Sequence, residues 1–261
     1  MSKKNRPKVL LLDIEISPLL ASVWALFDQN VGLNQIQRDT FILSFSAKWL
    51  DSDKVIYMDQ SRAKDIEDDS TLLKAVWKLL DEADIVIGQN SKRFDIKRLN
   101  ARFIINGMQP PSSFKQVDTL ELAKRNFAFT SNKLEYLSSK LCTKHKKLTK
   151  RKYAGFELWK ECLKGNKAAW KEMREYNTLD VLSLQELYEK LAPWGSPVNF
   201  ELYSDEVSTK CNCGSEEFTK NGFKYTSSGK FQRFKCISCG AEHRDKKNLF
   251  TREKRASLGV K

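Results

Sequence analysis

No stretch of this 261-residue chain is apolar for long enough to cross a bilayer, and its polar start, MSKKNRPK, does not read as a secretory leader. The expectation is a soluble, cytoplasmic protein with no membrane partner. Internal repeats and long low-complexity segments are missing too, which argues against solenoid or fibrous arrays. Cysteine is sparse: of six residues, four crowd between Cys211 and Cys239. That distribution suits metal ligands in a reducing compartment better than a disulfide framework. Acidic residues are outnumbered, 33 against 46 Lys plus Arg. The resulting formal charge of +13 points to a polyanionic partner, most simply nucleic acid.

The chain is long enough for one large domain and a small one. Its first 90 or so residues read as strand-rich, with candidate strands in VLLL (9–12), VWALFD (23–28), TFILSFSAKWL (40–50), KVIYM (54–58) and DIVIG (84–88). STLLKAVWKLLDEA (70–83) has the period of an amphipathic helix, with Ser70 as its cap. From Phe94 the pattern turns helical and ends in a long helix, 166–191, stopped by Pro193. Residues 140–174 carry 12 basic and 3 acidic residues, and residues 206–261 carry 13 and 6, so positive charge concentrates in two places.

Asp13 and Glu15 follow the aliphatic run Val9–Leu12 and are two residues apart, hence on one side if the strand continues. Two such charges repel unless a cation lies between them. Alternatively the strand ends at Leu12 and both acids are solvated. Asp95 falls at the start of a helix, as a first-turn acid or as a ligand. Tyr176 and Asp180, four apart on the long helix, share a face.

Together DIE (13–15), NSKRFD (90–95, with Asn90, Phe94 and Asp95) and YNTLD (176–180) resemble the three motifs of DnaQ-like 3'-5' exonucleases of the DEDD type, tyrosine subtype, within the RNase H-like superfamily. The likeness spans about residues 8–194, and VDTLELAK (117–124) and GFELWKECLKGNKAAWKEMREYNTLDV (155–181) look like the prokaryotic and phage branch. It implies an α/β, RNase H-like fold with a mixed central sheet flanked by helices. It also implies hydrolysis of nucleic acid, single-stranded DNA ahead of RNA, with two Mg2+ or Mn2+ ions roughly 3.5–4 Å apart. On that resemblance Asp13 would bridge the ions, Glu15 and Asp180 would complete the site carrying the nucleophilic water, and Asp95 would serve the second ion through waters. Tyr176 would orient the water. An RNase H-like endonuclease or resolvase, and a non-catalytic replication accessory protein, remain alternatives.

Asp118 reads as a helix cap, Trp159 and Trp170 as core, Cys142 and Cys162 as semi-buried thiols, and His145 as exposed. The lysine-rich run holding Lys146, Lys147, Lys150, Arg151 and Lys152 is either a solvated loop or a track for phosphates. Near the C-terminus, CNCG and CISCG, 22 residues apart, resemble a zinc ribbon with Cys211, Cys213, Cys236 and Cys239 around one Zn2+. The first pair is Cys-x-Cys where that family has Cys-x-x-Cys, which leaves His243 as a substitute for Cys211. Lys224, Lys230 and Arg233 alternate with aromatic residues in the intervening hairpin, a pattern suited to nucleic acid, and the ribbon could equally dock a replication or repair protein. The expected organisation is a nuclease domain at 1–197, a linker at 198–209, the ribbon at 210–246 and a basic tail at 247–261.

Overall fold

A computed structural model describes residues 6–145, 151–207 and 209–259. The chain divides into two compact units, one spanning Lys8–Tyr188 and a smaller one that takes in Glu189–Lys261.

The larger unit runs β1 (Val9–Ile16), β2 (Leu20–Ala21), β3 (Ile36–Arg38), β4 (Ile42–Trp49), β5 (Val55–Asp59), α1 (Ser70–Glu82), β6 (Ile85–Gly88), α2 (Asp95–Ile105), β7 (Lys115–Asp118), α3 (Thr119–Asn126), α4 (Leu134–Leu141), α5 (Glu157–Leu163) and α6 (Lys167–Leu191). Five strands form one sheet in the order β5-β4-β1-β6-β7. β1 pairs antiparallel with β4 and parallel with β6, so the sheet is mixed and β1 lies at its centre. Helices flank both faces, the α/β arrangement expected. On one face Leu10, Leu12 and Ile14 of β1 and Phe45 of β4 pack with Leu72, Leu73, Val76 and Leu80 of α1 and with Leu99 and Phe103 of α2. Each such buried side chain stabilises the layer by about 1.5–3 kcal/mol, so Leu80→Ala alone would loosen α1. On the other face Phe41 and Leu43 meet Leu158 and Cys162 of α5 and Trp170, Met173 and Tyr176 of α6.

β1 does not end at Leu12. It continues to Ile16 and carries both acids within the strand, paired Asp13 with Ser46 and Glu15 with Ser44. Directly after Glu15 the register slips, so that Ile16 lies opposite Ile42 and β4 holds one extra residue. Such bulges re-aim neighbouring side chains and recur beside active sites.

Three expectations need correction. Residues 23–28 are not a strand: the Trp24 N–H bonds the Gln29 side chain, whose amide returns to the Phe27 carbonyl, and Asp28 adopts φ +55°. The local side chain thus satisfies backbone groups that a ladder would need, and only β2 and β3 at the flanks pair. Ser70 is the first helical residue of α1, and Asp69 holds the cap position. Asp69 makes no capping bond. Fully buried, it instead accepts from Ile42 N at 2.8 Å and from Arg102 at 2.7 and 2.9 Å, tying α1 to β4 and α2. Cys142 and Cys162 are fully buried rather than half-buried.

The smaller unit contains a three-stranded antiparallel sheet of β8 (Phe218–Thr226), β9 (Gly229–Cys236) and β10 (Glu242–Asn248), with β9 central, and a short α7 (Arg252–Ala256). Among the described residues no helix is long and apolar enough to cross a membrane.

Candidate active site and cysteine cluster

The sheet and α6 bring together residues far apart in sequence. Asp13 and Glu15 project from β1 towards the face covered by α6, whose Asp180 is buried beside them. One carboxylate oxygen from each lies within 4.8 Å of the others. Three carboxylates so close repel one another strongly unless cations join them, and hard oxygen donors suit Mg2+ or Mn2+.

Asp95 opens α2 and is not part of that close trio, but it abuts the same strand. Its Oδ1 accepts from the N–H of Ile14, the residue between Asp13 and Glu15, at 3.1 Å. Burial pushes its carboxyl up to about 7, against the pull of that bond and with a push from Asp118. Tyr176, buried one turn before Asp180, has its phenol pushed far above its ordinary value by burial and then by Asp180, Glu15 and Asp13. It therefore stays protonated, a hydrogen-bond donor rather than a base. The Arg151 guanidinium lies over its ring at 4.7 Å and partly offsets the surrounding negative charge. Trp159 meets the same ring edge-on at 6.0 Å.

The 89–94 loop is shaped by Asp118, the cap of α3. That carboxylate accepts from Leu120 N at 3.0 Å, from Asn90 N at 2.8 Å and from Lys92 N at 3.3 Å. Asp118 is thus the expected cap and also the pin that holds Asn90 at φ +61°, an uncommon conformation for a residue with a Cβ. Gly88 is required at the loop's entrance, because a Cβ there would sit 2.4 Å from that of Ser91.

Of the basic run, Lys146, Lys147 and Lys150 lie outside the described residues. The segments on either side are fastened to α6. Glu186 accepts from the N–H groups of Thr143, Lys144 and His145 at 2.6 to 3.3 Å, and against the upward push of its partial burial these hold its carboxyl down at about 2. Glu172 accepts from Lys152 N at 3.0 Å and Tyr153 N at 3.2 Å. Sequence reasoning missed both glutamates. It also missed Asn177, which is fully buried inside YNTLD and contacts Asp13. A polar side chain three residues before Asp180, on the inward face of α6, was the available signal.

In the smaller unit all four expected cysteines gather, their Sγ atoms within 4.8 Å of one another. The separations are 3.5 Å for Cys211 and Cys239 and 3.7 Å for Cys213 and Cys236. Tetrahedral thiolates at a Zn–S distance of about 2.3 Å have edges of about 3.8 Å, whereas a disulfide needs about 2.05 Å, so this donor set fits zinc. Gly214 and Gly240 adopt φ +91° and +78° in the two knuckles, where Gly214 N bonds Cys211 O and Gly240 N bonds Cys236 O. Burial raises the Cys236 thiol, but N–H groups of Cys239 and Ser238 and the Cys213 thiol outweigh it and bring it to about 6. Cys211 belongs to the four. His243 lies outside them, with Nε2 3.4 Å from Cys211 Sγ and its ring edge-on to Phe218. On the hairpin the Lys230 ammonium sits 4.0 Å from the Phe223 ring centroid, while Lys224 and Arg233 both pair with Glu242.

No curated protein matches the sequence. Among solved structures, the family B DNA polymerase from the hyperthermophilic archaeon Pyrobaculum calidifontis aligns with 17% identity and a TM-score of 0.50, over 72% of this chain and 25% of the polymerase. The chain therefore spans about a quarter of that protein's length, and at this identity the likeness is one of fold. A family model described as the RNase_H superfamily matches residues 31–192, from just before β3 through the end of α6 and including Asp95, Tyr176 and Asp180. With most of the chain matched to that model, and with its mixed sheet carrying acids at the centre, this protein belongs to the RNase H superfamily.

Proposed function

We propose that the protein is a metal-dependent 3'-5' exonuclease acting on nucleic acid, single-stranded DNA ahead of RNA. The observation that carries this reading is the convergence of Asp13, Glu15 and Asp180 within 4.8 Å, from a strand and a helix more than 160 residues apart. The resemblance of DIE, NSKRFD and YNTLD to the DEDD exonuclease motifs supplies the polarity and the tyrosine subtype.

Asp13, Glu15 and Asp180 would hold divalent cations, with Asp95 nearby to serve a second one. When bound, such ions neutralise the charge that develops on the attacking and leaving oxygens of a phosphodiester. The protein's own groups do the rest. Tyr176, kept protonated by its surroundings, orients the nucleophilic water through its hydroxyl. Asn90 and Arg151 contact the strand near the site, and Lys152 with the neighbouring Lys146, Lys147 and Lys150 attracts phosphates. The four cysteines would hold one Zn2+, and Lys224, Lys230 and Arg233 would bind nucleic acid in their own right or frame a docking face for a replication or repair protein. Residues 1–197 would act as the nuclease, with 198–209 as linker, 210–246 as ribbon and 247–261 as basic tail.

Time-resolved digestion of 5'-labelled DNA and RNA oligonucleotides tests this. A ladder shortening one nucleotide at a time from the 3' end, supported by Mg2+ or Mn2+ and stopped by EDTA or a 3' block, is expected. Internal cuts in the 3'-blocked substrate would instead identify an endonuclease.

A further inference from the structure

Asn177 is completely buried on α6, one residue past Tyr176 and three before Asp180. Its Nδ2 donates to Asp13 Oδ2 at 2.5 Å and approaches the Asp13 main-chain carbonyl at 3.5 Å. At its other end, Oδ1 accepts from the Ser44 hydroxyl at 3.3 Å. Ser44 stands on β4, opposite Glu15 in the ladder and next to the bulge. A carboxamide has one donor end and one acceptor end, and a carboxylate only accepts, so the NH2 group must face Asp13 and the oxygen is left to take the Ser44 hydroxyl.

We infer that Asn177 is a positioning residue for Asp13: its buried amide, held at its other end by Ser44, fixes the carboxylate that the cations would share. The inference rests on the metal-dependent reading of this site. A free aspartate carboxylate rotates broadly about its Cβ–Cγ bond. A hydrogen bond to one oxygen selects a single orientation, the one in which an Asp13 oxygen lies within 4.8 Å of those of Glu15 and Asp180. The amide suits this role because it is neutral. A lysine or arginine at the same place would cancel the charge of Asp13 and compete with a cation, whereas the amide orients the carboxylate and leaves its charge available. Hydrogen-bond partners of ligating carboxylates tune metal affinity by about 10–100-fold.

The test is calorimetric titration of Mn2+ into the full-length protein without nucleic acid, alongside circular dichroism and hydrolysis at increasing Mn2+. Asn177→Leu, close in volume and unable to donate, should bind Mn2+ about 10–100-fold more weakly. Its hydrolysis should recover towards wild type as Mn2+ is raised, a defect in metal affinity rather than in kcat. Ser44→Ala, which removes the hydroxyl that holds the far end of the amide, should show a milder loss of about fivefold, the worth of one neutral hydrogen bond. A folded Asn177→Leu protein that binds Mn2+ like wild type overturns the inference. Should Asn177→Leu fail to fold, Ser44→Ala decides by the same comparison. Wild-type protein that binds no Mn2+, or binds it equally after Asp13→Ala, overturns the metal reading itself and this inference with it.

Discussion

Asp95→Asn should stabilise the metal-free protein at alkaline pH, and by an amount that depends on pH in a defined direction. The Asp95 carboxyl is 4% exposed, and burial with the charge of Asp118 pushes it from 3.8 up to about 7. A carboxyl raised in the folded state supports folding fully below its unfolded pKa and withdraws that support as pH climbs through the folded one, because the unfolded chain gives up the proton first. The interval from 3.8 to about 7 corresponds to about 4 kcal/mol lost between pH 4 and pH 8. Asparagine keeps an oxygen to accept from Ile14 N and cannot ionise. In EDTA the variant should therefore melt with wild type near pH 4 and roughly 8–15 °C above it at pH 8, given about 2–4 °C per kcal/mol for a domain of this size. Scanning calorimetry from pH 4 to 9 reads the difference directly. Adding Mg2+ at pH 8 should narrow the gap, since a ligand that binds the native state raises the protein that holds it best. Two melting curves that run parallel across the whole range would refute a protonated, buried Asp95.

Asp13→Ala should abolish hydrolysis with the fold intact and DNA binding undiminished; full activity in this variant would remove the site assignment. Tyr176→Phe should slow cleavage by roughly 10 to 1,000-fold while Mg2+ still binds, as calorimetry can establish. Elemental analysis should find about one zinc per chain, and a strong chelator should unfold the small unit while the larger one retains Mg2+-dependent cleavage of short substrates. Deleting residues 206–261, which carry 13 basic and 6 acidic residues, should weaken binding of long nucleic acid and flatten its salt dependence; an unchanged slope would point to a protein partner for the ribbon.

The central elements were legible because their signals are local. The aliphatic run before Asp13, the period of α1 and the length of α6 each follow from a few consecutive residues, and the motif spacings place Asp13, Glu15 and Asp180 on elements that do meet. Residues 23–28 misled because apolar alternation does not say whether a partner strand exists. Here a Gln29 side chain takes the backbone bonds instead. Asp69 was unreadable for a related reason: its partners, Ile42 N and Arg102, lie 27 and 33 residues away, and only the packed fold makes it a hub rather than a cap. Glu172, Glu186 and Asn177 are ordinary polar residues on a polar helix until their acceptors and donors arrive from other segments. The Cys-x-Cys spacing cast doubt on Cys211, and the knuckle geometry at Gly214 places that residue among the four.

The alternation of β1 also bears on how the chain finds its topology. Leu10, Leu12 and Ile14 face one helical layer, and Asp13 and Glu15 face the other. Because side chains repeat every second residue, a slip of one position against β4 or β6 would exchange these sets. Two carboxylates would then enter a layer of leucine and phenylalanine with no cation or donor to receive them, at several kcal/mol each. The acids that β1 brings to the candidate site also forbid its misregistered pairings, so replacing both with leucine would remove a proofreading signal from folding itself.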